Sequence, residues 1–356
     1  MESSENAGLT LARRDFVQLS AGMIGGLGIP GLFDGVAEAA DNDETSTKSS
    51  LDESYLELGL IGMARSNGWF NAHLGAAVLA GYYMCNENRF SDAIVDSIKK
   101  QLDSLIATHH EQFTPFENMS ADIPLVEAVP SSLEPAVQGG LRAHGHAVIY
   151  TALSVRALRD VPHMADPRLI KLLCGHNGQI AQKTPSQPRV VSKYADTQAM
   201  IEALFNSLAR FEPLLGHPTV KRPNFTHMTT HTEALMSLDV MGYTELAKAG
   251  QLGHQAHIDE PVPDFDPAEH PLDERESTLA DIMNEDFWQN EDNQKQWNGP
   301  WNVKNNPNGY WLAFGHLFKV LYSYHRLIGR IQDKEKVALC SRVLLERCVN
   351  PEVQGG

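Results

Sequence analysis

The stretch that decides the fold runs from Gly315 to Leu327 and reads "GHLFKVLYSYHRL". Its apolar residues recur at the spacing of an amphipathic helix: Leu317, Val320, Leu321, Tyr324 and Leu327. Two residues interrupt the apolar stripe. His316 and Lys319 stand three positions apart, so they project from the same side of the helix. A histidine and a lysine placed together on a helix that packs a core require an explanation beyond packing.

Helical periodicity recurs along most of the chain, and the alternation typical of strands is scarce. The segments with this periodicity are 68–84, 90–110, 143–160, 197–211, 226–250, 310–331 and 334–349. With 42% hydrophobic residues, the chain can bury a sizeable core. The sequence therefore predicts an all-α fold, a single multi-helix domain spanning residues 51–350.

Charge disfavours binding to nucleic acid or membranes, and cysteine usage disfavours one kind of metal site. The formal net charge of −16 disfavours binding to nucleic acid or to an anionic membrane, because both depend on neutralising phosphate groups. The four cysteines show no C-x-x-C spacing, which disfavours a zinc site built from thiolates.

The N-terminal region resembles an export signal. Arg13 and Arg14 precede a weakly apolar, glycine-rich run at 17–33, and a small-x-small pattern ends at Ala39. This pattern predicts a twin-arginine signal peptide at 1–39, cleaved near Ala39, and a polar linker at 40–50. We therefore expect the twin-arginine machinery to export the protein to the periplasm or the extracellular space. The apolar run is too short and glycine-rich for stable membrane insertion of the mature chain.

Four predicted helices each carry a histidine near their N-terminal part, followed by small and apolar residues. These histidines are His73, His146, His227 and His316. One inward-facing side chain from each of several packed helices is how metal sites are built inside helical bundles. The pattern predicts a metal site in the centre of the helical core. The alternative is a set of buried histidines that serve only core hydrogen bonds.

Lys319 bears on the charge of such a site. Four neutral imidazoles suit iron, zinc, copper or nickel but leave the charge of a divalent ion uncompensated. Burial lowers the pKa of a lysine, and the neutral amine can take up carbon dioxide as a carbamate. Lys319 would then be an anionic oxygen ligand. The alternative is a lysine whose ammonium group reaches the surface.

At these residues the chain resembles the questin oxidase-like family of non-haem iron oxygenases. The family motif H-x-L-I is similar to "HAVI" at His146, H-x-x-T-x-x-x-A-L to "HMTTHTEAL" at His227, and H-x-I-K to "HLFK" at 316–319. The first family motif, N-H-x-x-H-H-L-L-x-x-Y-A-L, is matched only at His73 and Tyr82.

Ala76 and Ala77 stand where that first motif has a pair of histidines. This departure leaves two interpretations of the first metal ligand. Either His73 is the ligand, or His144 or His231 replaces it.

The resemblance implies an Fe2+ ion held by the four histidines and by carboxylated Lys319, with one position open for dioxygen. It implies oxygen insertion or C–C cleavage on a small, aromatic or quinone-like substrate. We place Tyr82, Tyr150 and His231 among the candidate catalytic residues, the two tyrosines as hydrogen-bond donors near the metal. An aromatic loop can form a flat pocket wall or simply cap the core; it contains Trp297, Trp301, Tyr310 and Trp311.

Two further classes of function stay open on the sequence. A Zn2+ ion or another divalent metal in the same site would suit a hydrolase or lyase of an extracytoplasmic small molecule, because zinc lowers the pKa of bound water. A non-catalytic all-α binding protein would need no metal at all.

Overall fold

The computed structural model describes residues 50–88, 90–220, 223–272, 284–290 and 315–349, all within one structural unit, 48–356. These residues form helices and contain no strand, which confirms the all-α prediction. Their one extended pairing is an isolated antiparallel bridge between Leu141 and Ser186. The predicted signal peptide, all of the linker except residue 50, and the aromatic loop at 297–311 lie outside the described residues.

The helices are numbered here in chain order. They are α1 Ser54–Ala64, α2 His73–Glu87, α3 Asp92–Thr108, α4 Ala128–Ser131, α5 Glu134–Val137, α6 His146–Asp160, α7 Pro167–Ala181, α8 Thr197–Ala209, α9 Phe225–Val240, α10 Thr244–Ile258, α11 Glu285–Gln289, α12 His316–Ile328 and α13 Lys334–Leu344. Short 3₁₀ turns lead directly into three of them: Trp69–Ala72 before α2, Ile123–Glu127 before α4 and Ala143–Gly145 before α6. None of the helices in the described part of the chain has the length and apolarity needed to cross a membrane.

The structure corrects the predicted helix pattern in three places. The segment predicted as 226–250 divides into α9 and α10 at Gly242, whose φ of 96° ends the first helix. The pattern missed α1 because that helix is buried on nearly every side and has no polar face. It also missed α7, where Gly175 and Gly178 interrupt the helical signal.

Four helices form the centre of the fold. Helix α2 packs on α6 and α12, and α9 packs on the same two helices, so the four close into a ring. Helix α1 covers α2, and α10 covers α9. Each helix of the ring carries one of the four predicted metal-binding histidines.

Candidate metal centre

The four predicted histidines converge in the ring of helices. Each of the four offers one ligand nitrogen, and these nitrogens all lie within 4.8 Å of one another. All four side chains are buried: His73, His146, His227 and His316. This cluster, called the histidine cluster below, can hold a metal ion. His73 itself supplies the nitrogen from α2, so the site needs neither His144 nor His231 as a replacement.

The histidines meet because each lies at the start of its helix. His73, His146 and His316 are the first residues of α2, α6 and α12, and His227 is the third residue of α9. The chain enters two of these helices through a left-handed glycine: Gly145 has a φ of 77° and Gly315 a φ of 65°. Glycine adopts this conformation without steric cost.

Two contacts fix which nitrogen of each imidazole carries the proton. His146 Nδ1 donates a hydrogen bond to the carbonyl oxygen of Ala143, and His227 Nδ1 donates to Oδ1 of Asn224 at 2.7 Å. A carbonyl or amide oxygen can only accept, so Nδ1 carries the proton in both rings. The Nε2 atoms of His146 and His227 are therefore left as bare lone pairs that face the centre of the cluster.

These lone pairs approach one another too closely to be stable without a cation. His146 Nε2 lies 2.7 Å from His73 Nε2 and 3.1 Å from His227 Nε2. Between His146 and His227 no proton is available to share, so the two lone pairs repel. A metal ion bound at about 2.0–2.1 Å to each nitrogen would sit between ligands about 3 Å apart. The donor set therefore fits a transition metal such as iron or zinc.

Tyr150 completes the surroundings of His73. Its hydroxyl oxygen lies 2.7 Å from His73 Nδ1, and the carbonyl oxygen of Phe70 also approaches that nitrogen. The structure therefore places the hydroxyl group of Tyr150 beside one histidine of the cluster. Burial raises the pKa of Tyr150 well above its ordinary value, which keeps the hydroxyl group protonated and able to donate.

The surroundings hold the imidazoles in their neutral form. Burial lowers the pKa of His73 and His227 well below the ordinary value, and it lowers the pKa of His146 to about 3. The neighbouring Lys319 adds to this lowering at His73 and His146. Neutral imidazole is the form that binds metal, so the nitrogens are ready to bind metal near neutral pH.

Lys319 lies one helical turn beyond His316 on α12 and is only 4% exposed. The interpretation of Lys319 as a surface-reaching lysine is therefore wrong. Burial lowers the pKa of its amine well below the ordinary value. Because Lys319 follows His316 by three positions, its side chain leaves α12 on the same side as that ligand of the cluster.

Among the described residues, the cluster includes no counter-charge of its own. No carboxylate belongs to the group of potential metal ligands among the described residues. Glu233, the acidic residue nearest His227 on α9, instead binds Arg326 Nε at 3.1 Å. Helix N-termini carry partial positive charge, and three of the four histidines are the first residues of their helices. An anionic ligand at this point would therefore be stabilised.

The remaining candidates lie outside the cluster. His231 Nδ1 lies 3.1 Å from His257 Nδ1, so His231 belongs to a separate buried pair. The exposed ring of His144 stacks on His227 with centroids 5.2 Å apart. Tyr82 lies nine residues beyond His73 on α2, roughly 13 Å along the helix axis. Its ring packs edge-on against Tyr83, so the structure does not bring Tyr82 to the cluster.

Two functional residues escaped the sequence interpretation. Asn224 caps α9 and holds His227, and its signal is an asparagine three positions before a histidine at a helix start. Ala143 supplies a carbonyl oxygen from a left-handed conformation, φ 43°. An alanine carries no sequence signal for that conformation, so the second contact was not predictable.

Comparison of this chain with family models, with curated proteins and with solved structures returns no match. The assignment of the site therefore depends on its geometry and on the motifs that the chain itself carries.

Proposed function

We propose that this protein is a metal-dependent oxygenase, with a non-haem Fe2+ ion held by the histidine cluster and by Lys319. One observation carries the proposal: the Nε2 atoms of His73, His146 and His227 converge at 2.7–3.1 Å beside a buried lysine, and those of His146 and His227 carry no proton. The convergence supports a metal. The choice of iron, and of oxygenation as the reaction, rests on the resemblance to the questin oxidase-like motifs.

Lys319 is proposed to be the anionic ligand. The neutral amine forms an N–C bond with carbon dioxide, one C=O electron pair moves to oxygen, and the nitrogen proton leaves to solvent. The product is a carbamate with a negative charge. Two observations support it: burial lowers the pKa of Lys319, and the cluster has no carboxylate ligand among the described residues.

The residues around the site would then have distinct roles in the reaction. Fe2+, when bound, supplies the activation of dioxygen and the orientation of the substrate. Ala143 and Asn224 keep the proton-free nitrogens of His146 and His227 turned inward. The hydroxyl group of Tyr150, beside His73, can donate a hydrogen bond to a group held at the site. Burial of all four imidazoles excludes bulk water.

The substrate class follows from the same resemblance. A small aromatic or quinone-like molecule, oxidised with oxygen insertion or C–C cleavage, is the proposed substrate. The predicted export signal places that substrate outside the cytoplasm.

Metal analysis of the protein purified from cells grown with iron and zinc tests this proposal. We expect one iron per chain and consumption of dioxygen when a hydroxylated quinone is added. His146→Gln should lose the metal. His176→Gln is the control. It removes another buried histidine, one that contacts the carbonyl oxygen of Met63, and the variant should still bind the metal.

Two other results of the metal analysis would contradict the proposal. Stoichiometric zinc with no iron would favour a hydrolase or lyase. No bound metal, together with unchanged stability in His146→Gln, would favour a non-catalytic binding protein.

A further inference from the structure

The four helices of the ring meet a second time, about ten residues beyond the histidine cluster. The contacting side chains are polar or charged, and every helix contributes: Tyr83 and Glu87 from α2, Arg156 and Asp160 from α6, Glu233 from α9, and Tyr322 and Arg326 from α12. We call this set the distal network. Since ten helical residues span roughly 15 Å, the two meeting points lie about three turns apart.

Arg326 is the centre of the distal network. Its Nε lies 3.1 Å from Glu233 of α9, and its NH1 lies 3.2 Å from the hydroxyl of Tyr322 and 3.6 Å from Glu87 of α2. Glu233 is nearly fully buried. A planar guanidinium that reaches several partners fixes their mutual positions more tightly than one point charge would.

Arg156 extends the distal network to α6. Its guanidinium donates to the hydroxyl of Tyr322 at 2.8 Å, pairs with Glu87, and lies over the ring of Tyr83 at 3.7 Å from the centroid. Tyr83 in turn donates to Asp160 at 2.7 Å. Arg326 lies in the last turn of α12, where a cation is favoured by the helix dipole.

The histidine cluster and the distal network lie on the same four helices, at fixed distances along each helix. Counted from the histidine of each helix, the distal residues fall at six, ten or fourteen positions. Where a helix contributes two of them, they are four positions apart and share one side of that helix, which is turned by roughly 40–120° from the histidine. A shift of one helix along its axis would break contacts in the distal network and move that helix's histidine by the same amount. The ligand nitrogens tolerate little displacement, because metal–nitrogen distances vary by only about 0.2 Å.

We propose that the distal network is a positioning device for the metal centre, with Arg326 as its principal positioning residue. It fixes the axial register of α2, α6, α9 and α12, and thereby the distances between the four ligand nitrogens. This inference rests on the proposed metal centre but is independent of the metal's identity and of the reaction.

The experiment uses Co2+ as the probe, because its visible absorption reports the geometry of its ligands. Co2+ affinity and spectrum are measured for the wild-type chain and for Arg326→Met. We expect Arg326→Met to bind Co2+ roughly 10- to 100-fold more weakly, the range for residues that orient metal ligands, with an altered spectrum. Val337→Ala is the matched control, since Val337 is buried in α13, outside the ring; it should lower stability while leaving the spectrum unchanged.

A double variant separates positioning from stability. Glu233→Gln with Arg326→Met leaves no unpaired buried carboxylate, so it should regain stability relative to Arg326→Met. The contacts that Arg326 makes from α12 to α9 and α2 stay broken, so the Co2+ affinity of the double variant should stay low. Recovery of both properties together, or an equal loss of affinity in Val337→Ala, would overturn the positioning role. Failure of the wild-type chain to bind Co2+ would overturn this inference and the proposed function alike, whereas normal binding by every variant would overturn only this inference.

Discussion

The Nε2 atoms of His73 and His146 lie 2.7 Å apart, although the two residues are 73 positions apart in the chain. Each is the first residue of its helix, and the two helices pack side by side. The cluster is therefore produced by helix starts that meet at one point. The residues that set those starts should control metal binding as strongly as the ligands do.

Asn224 offers the most direct test, because it caps α9 and also holds the Nδ1 proton of His227. We expect Asn224→Ala to lower the free energy of unfolding by about 1 kcal/mol, as for other lost N-caps. We also expect it to weaken metal binding roughly 10- to 100-fold, because His227 would no longer be held in the form with a free Nε2. Isothermal titration with Co2+ and urea denaturation measure the two effects.

Asp196→Ala provides the matched control for that experiment. Asp196 caps α8 by accepting from the backbone N–H of Ala199 at 2.8 Å, and α8 carries no histidine. It should show a similar loss of stability and unchanged metal affinity. Equal weakening of metal binding in both variants would mean that Asn224 acts only through helix stability.

The left-handed glycine before His316 should not tolerate a side chain. A Cβ at Gly315 would lie 2.1 Å from the Cβ of Ala77, and the backbone there has a φ of 65°. We expect Gly315→Ala to lower the free energy of unfolding by about 2–4 kcal/mol, since overpacking and the left-handed conformation both contribute. It should also weaken metal binding, because α12 must move away from α2.

Gly178→Ala is the comparison for Gly315→Ala. Gly178 lies within α7, and a Cβ there would meet nothing within 4 Å. Alanine is the better helix former, so this variant should be as stable as the wild-type chain or more stable by up to about 1 kcal/mol. Thermal denaturation of the metal-free proteins distinguishes the two substitutions, and equal stabilities would contradict the close approach of α12 to α2.

Acid should destabilise the metal-free protein through buried histidines outside the cluster as well. Burial lowers the pKa of His231 from 6.5 to about 3. The unfolded chain therefore binds a proton that the folded chain rejects, and the stabilisation from neutral His231 is complete only above pH 6.5. It is lost as pH falls from 6.5 toward 3, at about 1.4 kcal/mol per pH unit for one group.

Urea denaturation of the metal-free protein at several pH values between 7.5 and 5 measures this loss. His231→Gln cannot titrate, so its stability should fall less steeply with acid than that of the wild-type chain. His110→Gln, at an exposed position, is the control for replacing a histidine by glutamine. Identical slopes in all three proteins would show that His231 does not contribute.

The sequence predicted the histidine cluster more reliably than the contacts that orient its imidazoles. The four histidines and Lys319 stood out because polar residues interrupt apolar helical stripes, and the structure buries all five. Tyr82 was placed near the metal on the motif match, although nine helical residues separate it from His73 by roughly 13 Å. The distal network could not be predicted, since Arg156 and Arg326 are ordinary residues of helix ends until packing brings Glu87 and Glu233 to them.

Lys319 allows the sharpest test of the proposed ligand set. Its burial lowers the pKa of its amine, which favours the neutral amine that can react with carbon dioxide. We expect bicarbonate to strengthen Fe2+ or Co2+ binding by the wild-type chain, and carbon NMR with labelled bicarbonate to show one carbamate per chain. Lys319→Met should bind metal at least roughly tenfold more weakly and should not respond to bicarbonate.

Two comparisons make this result specific to the carbamate. Lys248→Met removes an exposed lysine paired with Glu245 and should keep the bicarbonate response, which excludes a general effect of bicarbonate on the protein. Lys319→Ala leaves room for a small carboxylate, so added formate or acetate should restore part of its metal affinity by replacing the missing negative oxygen. Metal binding that is indifferent to bicarbonate in the wild-type chain, with no rescue of Lys319→Ala, would leave the histidines as the metal ligands and remove Lys319 from the set.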